Sequence, residues 1–362
     1  MSSWYLEYRG QRVAEPVTAR QIALPAPELR RAEAGAVPAP ASVIVAVPTL
    51  NEAENIRACL ASLFADPWMA SVPVMVADGG STDATCEIVR ALQRDHPGLQ
   101  LVANPKRLQS AAINAVAAAA PETARVLVRC DAHAVYPPGY VRAVAQELLA
   151  RPDAASLVTP MDARGRGCFA SAAAWVVDTP MGSGGAAHRG GTCSGWVDHG
   201  HHAGFRLDWF RKVGGYDESF THNEDAELDH RLGLAGGRIW LEAGIRLDYS
   251  MRRGPRALGR QYWNYGRGRA RTVRKHRLRP RLRQLIPVIN LVAQAGALAL
   301  APLVPLALLL PAAYLTALAV VSLTGAARLG ALCGLWAGPA LLIMHTAWAA
   351  GFLSQILQAR RP

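Results

Sequence analysis

Short apolar runs alternate with longer amphipathic stretches along the chain from Ser42 onward. The runs are rich in β-branched residues and have the length of buried strands; they cover residues 42–47, 72–77, 99–103 and 125–130. This alternation predicts an α/β fold in which a mostly parallel sheet is covered by helices on both faces.

The stretches between these runs have helical periodicity. In the first stretch Ile56, Leu60 and Leu63 recur on one helical face. The second helix is expected to begin after a Ser81 or Thr82 cap, and the third to span about residues 109–119.

A different pattern occupies the C-terminal part, where residues 285–357 carry one full charge, Arg328. A stretch of this length without a polar face predicts membrane insertion. Residues 285–323 are about twice as long as one span requires and contain Pro302 and Pro305, and residues 330–357 supply one more span. Length therefore favours three transmembrane helices. Arg360 and Arg361 favour an even number, because basic residues prefer the cytoplasmic side.

The formal net charge of +12 is unevenly distributed. Residues 1–248 carry 23 basic and 27 acidic residues, whereas the remainder carries 16 basic residues and no acidic one. Thirteen of those 16 lie in residues 252–283, directly before the apolar stretch. This is the positive-inside pattern, and it favours a bilayer surface over nucleic acid as the partner of the basic block.

These patterns divide the chain into four parts. We expect an N-terminal segment with a Pro/Ala-rich linker (residues 1–41), a cytoplasmic catalytic domain (42–250), basic juxtamembrane helices (251–284) and transmembrane helices (285–357). The first residues are mixed and charged and do not resemble a signal peptide, so the predicted location is the inner membrane, multi-pass, with the catalytic domain in the cytoplasm. The six cysteines are scattered without a CxxC pair, so neither a zinc knuckle nor a disulfide framework is expected.

Polar residues recur where the predicted strands end. The segments PTLNE and DGGSTD follow the first and second strands, and DAH follows the fourth or fifth. In open α/β sheets ligands bind outside the carboxyl ends of the strands. A single aspartate or asparagine there is an ordinary turn residue, so the recurrence is the signal.

Asp131 and His133 stand two residues apart at one of these strand ends. Residues i and i+2 project to the same side while the chain stays extended, so both side chains can face one ligand. A carboxylate and an imidazole suit a divalent cation, Mg²⁺ or Mn²⁺, that takes its other ligands from phosphate oxygens. The alternative is a turn aspartate beside a surface histidine.

Taken in order, the motifs PTLNEAENI, VADGGSTDAT, CDAH, VGGYDE, NEDAEL and QYWNYGRGR resemble those of the family-2 inverting glycosyltransferases of GT-A fold. The similarity covers residues 42–283 and is greatest to the membrane-attached branch that includes succinoglycan-biosynthesis glucosyltransferases. Most of the family has Asp-x-Asp where this chain has Asp131-Ala132-His133, a variant that the branch shares. The resemblance thus implies a GT-A type sheet followed by transmembrane helices.

The resemblance also implies roles for the strand-end residues on the donor side. Asp78 would read the nucleobase edge, which a carboxylate can do by accepting a uracil N–H. The nucleoside pocket would be lined by Thr49, Asn51 and Glu52, and Gly79 would let the backbone turn close to the ligand. Lys106 and Arg107 would reach a phosphate, and Asp131 would hold the metal between the two phosphates.

In the segment NEDAEL the resemblance implies an acceptor side. An inverting transfer needs one base, which we assign to Asp225, with Glu224 in a supporting role. The alternative is an acidic cluster that only stabilises a helix N-terminus.

Two further segments are candidates for binding. The loop VDHGHHAGFR contains His201 and His202, which we assign to the acceptor side, with zinc binding as the alternative. In RQYWNYGRGR the resemblance makes Gln261, Tyr265 and Arg267 candidates for contacts to the product phosphates, although aromatic and basic residues also line single-strand nucleic-acid grooves.

The predicted function is inverting, metal-dependent transfer of a hexose from a nucleotide donor, UDP-hexose, to a lipid-linked acceptor in extracellular polysaccharide or glycolipid synthesis. Its predicted partners are the donor, the acceptor and membrane lipids, with no nucleic acid. One alternative is a processive polysaccharide synthase, disfavoured because three apolar segments are few for a channel and a QxxRW motif is absent. The other is a non-catalytic membrane scaffold, which the intact strand-end acids disfavour.

Overall fold

The computed structural model describes residues 36–186, 189 and 191–358. The predicted N-terminal segment, most of its linker and the two C-terminal arginines lie outside the described residues. The described part divides into two compact units, each built from several chain segments. The first unit comprises residues up to 160, 192–218 and 228–247, and the second comprises residues 161–191, 219–227 and 248 onward.

An eight-stranded sheet forms the centre of the first unit, in the order β3-β2-β1-β4-β8-β5-β9-β7. Its strands are β1 (Val43–Thr49), β2 (Val74–Asp78), β3 (Leu99–Ala103), β4 (Val126–Arg129), β5 (Ala154–Val158), β7 (Gly195–Val197), β8 (His202–Arg206) and β9 (Arg238–Leu241). Neighbouring strands from β3 to β4 run parallel, whereas β8 is antiparallel to both of its neighbours. The mostly parallel sheet predicted from the apolar runs is confirmed.

Helices cover both faces of this sheet. They are α1 (Ile56–Phe64), α2 (Thr85–Leu92), α3 (Gln109–Ala119), α4 (Tyr140–Ala150), α7 (Leu207–Lys212) and α8 (Glu224–Leu234), the last shared between the units. One core cluster packs Val45, Leu60 and Val144 on one side of the sheet, and another packs Ile44, Ile113 and Phe210. Buried apolar residues on both faces explain why β1 and β2 read as continuous apolar runs.

The predicted Ser81 or Thr82 cap on α2 is wrong. Ala84 precedes the helix and no side chain caps it. The Ser81 hydroxyl instead donates to Asp78, and the Thr82 amide donates to Asn51. Contacts to the neighbouring strand ends therefore outcompete local capping at this helix.

The second unit contains the two-stranded sheet of β6 (Met161–Arg164) and β10 (Leu247–Ser250). Its helices are α5 (Cys168–Val177), α6 (Pro180–Ser183), α9 (Pro255–Lys275), α10 (Leu282–Leu300), α11 (Leu309–Leu329) and α12 (Ala337–Leu357). Within the described residues, three segments are long and apolar enough to cross a membrane, namely Leu282–Leu300, Pro305–Leu329 and Leu332–Leu357. The sequence predicted this number of candidate spans.

Cys168 and Cys333 in the second unit are joined by a disulfide, a pairing that the scattered cysteines did not predict. The two cysteines are 165 residues apart in the sequence. Cysteine spacing shows local pairs and frameworks, and it carries no signal for a bond over such a distance.

Candidate active site

Hydrogen bonds join the loops that follow β1 and β2. The Asn51 backbone N–H donates to the Ser81 hydroxyl oxygen at 2.8 Å, and the Asn51 side-chain oxygen accepts from the Thr82 N–H at 2.8 Å. The Glu52 N–H donates to the Thr85 hydroxyl oxygen at 2.8 Å. Asn51 has a positive φ of 54°, a conformation that asparagine tolerates better than most residues. The two strand-end loops therefore form one fixed platform.

Asp78 ends β2 and lies opposite Thr49 in the strand register. Its carboxylate accepts from the Gly80 and Ser81 backbone N–H groups at 2.8 and 2.9 Å, and from the Ser81 hydroxyl. Burial would raise the pKa of Asp78, but hydrogen bonds from Ser81 and Gly80 outweigh burial and lower the pKa. The ionised carboxylate thus stabilises the conformation of its own loop. A nucleobase N–H would have to share one of the carboxylate oxygens with the loop N–H groups.

The loop after β2 is also held from the β3 side. The Arg107 Nε donates to the Gly79 carbonyl oxygen at 3.0 Å, from a backbone with a φ of 57°. Gly80 has a φ of 82°, which explains a glycine at this position. Lys106 forms an ion pair with Glu218. Both basic residues therefore have protein partners in the structure, and Arg107 supports the loop.

Asp131 follows β4 and is surrounded by polar side chains. Its Oδ1 accepts from the Gln109 Nε2 at 3.0 Å and lies 3.6 Å from the Arg129 Nε, and its Oδ2 lies 3.5 Å from the His201 Nε2. Burial alone would raise the pKa of Asp131, but the charges of Arg129 and His201 outweigh burial and hold this pKa well below its usual range. Asp131 is therefore ionised at neutral pH, and 22% of its side chain is exposed.

His133 lies on the same loop with 63% of its side chain exposed, and its Nδ1 is 3.5 Å from a Glu52 carboxylate oxygen. Within the described ranges no group of three or more His, Cys, Asp or Glu side chains is arranged to hold a metal ion. Asp131 and His133 fit a cation of the kind that takes one or two protein ligands and completes its shell with water and phosphate oxygens. They do not fit a closed structural metal site, which needs about four protein ligands.

The histidine loop is organised by a carboxylate that the sequence analysis did not single out. The Nδ1 of His199 lies 2.6 Å from Oδ2 of Asp229, and the Nε2 of His202 lies 2.8 Å from Oδ1. Asp229 is buried, and His202 is fully buried on β8. Of the two predicted acceptor-side histidines, His201 therefore keeps exposed surface and His202 does not.

In the second unit, Glu224 and Asp225 occupy the first turn of α8 and are half-buried. Asn223 precedes them with a φ of 65°. Glu227, one turn further along, is fully buried, forms an ion pair with Lys275 and lies 2.9 Å from the Nε2 of His276. Glu227 thus has a structural role in joining α8 to the end of α9, which leaves Glu224 and Asp225 as the candidates for chemistry.

The three α9 candidates also lie in the second unit. The Gln261 side-chain amide donates to the Tyr265 hydroxyl at 2.8 Å and to the Tyr249 hydroxyl. Burial raises the pKa of Tyr265 far above its usual value, so this hydroxyl stays protonated. The Arg267 Nε donates to the Gln355 side-chain oxygen at 3.3 Å.

Sequence reasoning missed Gln109 and Arg129, which contact Asp131, and Asp229, which contacts His199 and His202. Gln109 begins α3, and Arg129 occupies the last position of a buried strand, where a charged residue is unusual. That exception is the one signal in the sequence that points to Arg129. Asp229 is a helical acid one turn beyond Asp225 and carries no local signal.

Comparison with known proteins connects this arrangement to a family. Residues 44–214 match the model of glycosyl transferase family 2. Succinoglycan biosynthesis protein ExoA of Rhizobium meliloti (strain 1021) is 41% identical over 332 residues, which cover 88% of this chain and 96% of that protein. The mannosyltransferase PcManGT from Pyrobaculum calidifontis, solved with GDP-Man and Mn²⁺, is 21% identical over 92% of both chains, with a TM-score of 0.56.

The structural likeness confirms a GT-A-like fold with C-terminal apolar helices, and the matched family region contains the strand-end loops after β1, β2 and β4. The identity to ExoA extends beyond this region over nearly the whole chain. The chain is a member of the family 2 glycosyltransferases.

Proposed function

We propose that this glycosyltransferase moves a hexose from UDP-hexose to a lipid-linked acceptor, with inversion, during extracellular polysaccharide or glycolipid synthesis. Support comes from the 41% identity to a succinoglycan biosynthesis protein. The basic block before the apolar helices favours the cytoplasmic face of the inner membrane for the catalytic part. Membrane lipids and a lipid-linked acceptor are then present at the same surface.

The observation that carries the proposal is the ionised Asp131 beside the fixed platform of the β1 and β2 loops. These loops stand at the carboxyl ends of parallel strands, where open α/β sheets bind ligands. Thr49, Asn51, Glu52, Asp78 and Gly79 would line the nucleoside side. A uracil N–H is the donor that Asp78 would share with its loop amides.

The diphosphate side of the proposed site combines cations with a metal. Asp131 and His133 would hold Mg²⁺ or Mn²⁺, as the Mn²⁺ complex of the Pyrobaculum enzyme supports. Such an ion, when bound, neutralises charge on the departing nucleoside diphosphate. Arg107 and Lys106 would add positive charge, and Lys106 would exchange Glu218 for a phosphate. Gln261, Tyr265 and Arg267 are proposed to contact the product phosphates.

The proposed chemistry is one displacement. Asp225 accepts the proton of the acceptor hydroxyl while that oxygen forms a bond to the anomeric carbon. The bond from this carbon to the diphosphate oxygen breaks, and its electron pair leaves with UDP. Attack and departure on opposite faces invert the centre. Glu224 would orient the acceptor, and His201 would line the acceptor side.

Chelation combined with a matched pair of variants tests the proposal. Excess EDTA should abolish transfer from UDP-hexose, and Mn²⁺ should restore it at least as well as Mg²⁺, because imidazole is a better ligand for Mn²⁺. Asp131→Asn should weaken donor binding only when metal is present. Asp153→Asn, at an exposed position in the same unit, should behave as the wild type. Full activity in EDTA would refute the metal assignment.

A further inference from the structure

The third apolar helix, α12, packs against the basic helix α9 at backbone distance. A Cβ added at Gly266 of α9 would collide with the Trp348 carbonyl oxygen of α12. Conversely, a Cβ added at Gly351 of α12 would collide with the Trp263 carbonyl oxygen of α9. The glycines therefore let the two helices touch, and neither can move along the other without breaking this fit.

The contact runs in parallel along most of both helices. Near its start a Cβ at Gly259 would meet the Ile343 side chain at 3.6 Å, and near its end the Arg274 guanidinium donates to the Gln355 carbonyl oxygen at 3.4 Å. Gly259 and Arg274 are fifteen residues apart on α9, which corresponds to about 22 Å of helix. Over this length, α12 shares the depth of α9 relative to any bilayer.

Helix α9 cannot lie in the hydrocarbon. It carries seven basic residues and no acidic one: Arg256, Arg260, Arg267, Arg269, Arg271, Arg274 and Lys275. Several of these are exposed on one face, where Trp263 also has 37% of its surface exposed. Charged side chains within a membrane are rare because the hydrocarbon does not solvate them. A basic face with an exposed tryptophan is typical of a helix lying at the headgroup level of an anionic bilayer.

We infer that α12 does not cross the membrane but lies beside α9 at the bilayer surface, and that, among the helices that the structure describes, only the hairpin of α10 and α11 enters the hydrocarbon. Both ends of α12 are then on the same side of the membrane as α9. This assignment concerns the membrane arrangement only and does not depend on the proposed reaction.

The hairpin helices have the properties that this assignment requires. They contain 19 and 21 residues, or about 28 and 31 Å, close to the roughly 30 Å of a hydrocarbon core. Their apolar side chains are largely uncovered by protein, as Leu298 at 56% and Leu309 at 65% exposure show. Lipid is the occupant that suits such surfaces.

The distribution of basic residues agrees with an even number of crossings. Arg328 ends α11, and Arg360 and Arg361 follow α12. With the hairpin as the one membrane-entering element, all three arginines join the basic block of α9 on one side. This is the positive-inside arrangement, whereas a crossing by α12 would place Arg360 and Arg361 on the opposite side.

Accessibility at the two ends of α12 tests the inference. Ala331→Cys and Gln358→Cys are each introduced into full-length protein in which Cys86 and Cys193 are serine; Cys59 and Cys130 are buried. Spheroplasts are treated with a membrane-impermeant maleimide before and after permeabilisation. Both positions should label alike, strongly only after permeabilisation. Labelling of one position, but not the other, in intact spheroplasts would overturn the inference.

A fusion reporter that gives a positive signal on either side of the membrane complements the labelling. A dual alkaline phosphatase and β-galactosidase-fragment reporter is fused after Pro362 of the full chain. We expect β-galactosidase activity without phosphatase activity, because α12 does not carry the C-terminus to the side of the membrane opposite α9. Phosphatase activity would show that α12 crosses and would refute the assignment.

Discussion

At the scale of single residues, the carboxylates of the strand-end loops differ in what surrounds them. Asp131 faces the Arg129 guanidinium and the His201 imidazole, so its charge is balanced by side chains of its own unit. Asp78 is balanced by backbone N–H groups of its own loop. The first arrangement is suited to binding a charged ligand, and the second to fixing the loop that binds it.

The lowered pKa of Asp78 predicts how stability depends on pH. A carboxylate whose pKa is lower in the folded state stabilises the protein above its unfolded pKa of about 3.9, and this stabilisation is lost as pH falls through the folded pKa. The difference in Tm between wild type and Asp78→Asn should therefore be full near pH 7 and shrink below about pH 4. A difference that grows on acidification would contradict the hydrogen-bonding account.

Substitution of Asp225 distinguishes a catalytic base from an acid that only stabilises the helix N-terminus. A group that accepts a proton only as the bond forms lowers turnover when it is removed, without weakening donor binding. Asp225→Asn should lower kcat by roughly a hundredfold to ten-thousandfold with the apparent donor KM nearly unchanged. Glu224→Gln is the matched neighbour and should cost less. If the two variants exchanged these effects, the base would be Glu224.

The sequence showed where polar side chains leave the strands but not what they contact. His133 lies near Glu52, and Lys106 pairs with Glu218, 112 residues away in the chain. Partners at such separations depend on how strands are ordered in the sheet, and a single sequence does not report that order. The same reason explains why Asp229 was missed.

At the scale of elements, apolar periodicity predicted the four strands β1 to β4 of the matched region and not β5 to β8. The predicted helix at residues 109–119 coincides with α3, and the predicted strand at 99–103 coincides with β3. These elements bury one or both of their faces, so their apolar residues recur with the period of a helix or a strand. The antiparallel insertion of β8 between β4 and β5 was not predicted, because its short run has no distinctive period.

The packing of α12 on α9 makes a prediction that compares two glycines. Gly351→Leu places a side chain against the Trp263 backbone and should destabilise the protein by about 1–3 kcal/mol, the usual cost of overpacking. A Cβ added at Gly296 in α10 meets no atom within 4 Å, so Gly296→Leu should not lower stability, since leucine is the better helix former. Thermal unfolding in detergent measures both. Equal Tm values would mean that α12 and α9 do not touch.

At the scale of the whole molecule, composition alone separated a nearly neutral catalytic part from a basic and apolar tail. It gave three segments long enough to span a bilayer, and the described part of the structure also contains three. Composition does not distinguish α12 from α10 and α11, because the difference lies in which helix is covered by α9. The length of an apolar helix decides whether it can span a bilayer, and its contacts with other helices decide whether it does.

The central claim is the proposal that the chain transfers a sugar from a nucleotide donor to a lipid-linked acceptor. Its most direct test is incubation of the detergent-solubilised full chain with a panel of radiolabelled nucleotide sugars and a lipid extract. We predict label in the lipid phase from a UDP-hexose, lost in Asp131→Asn and retained in Asp153→Asn. Absence of labelled lipid with every donor, from protein that is folded and supplied with Mn²⁺, would contradict the account.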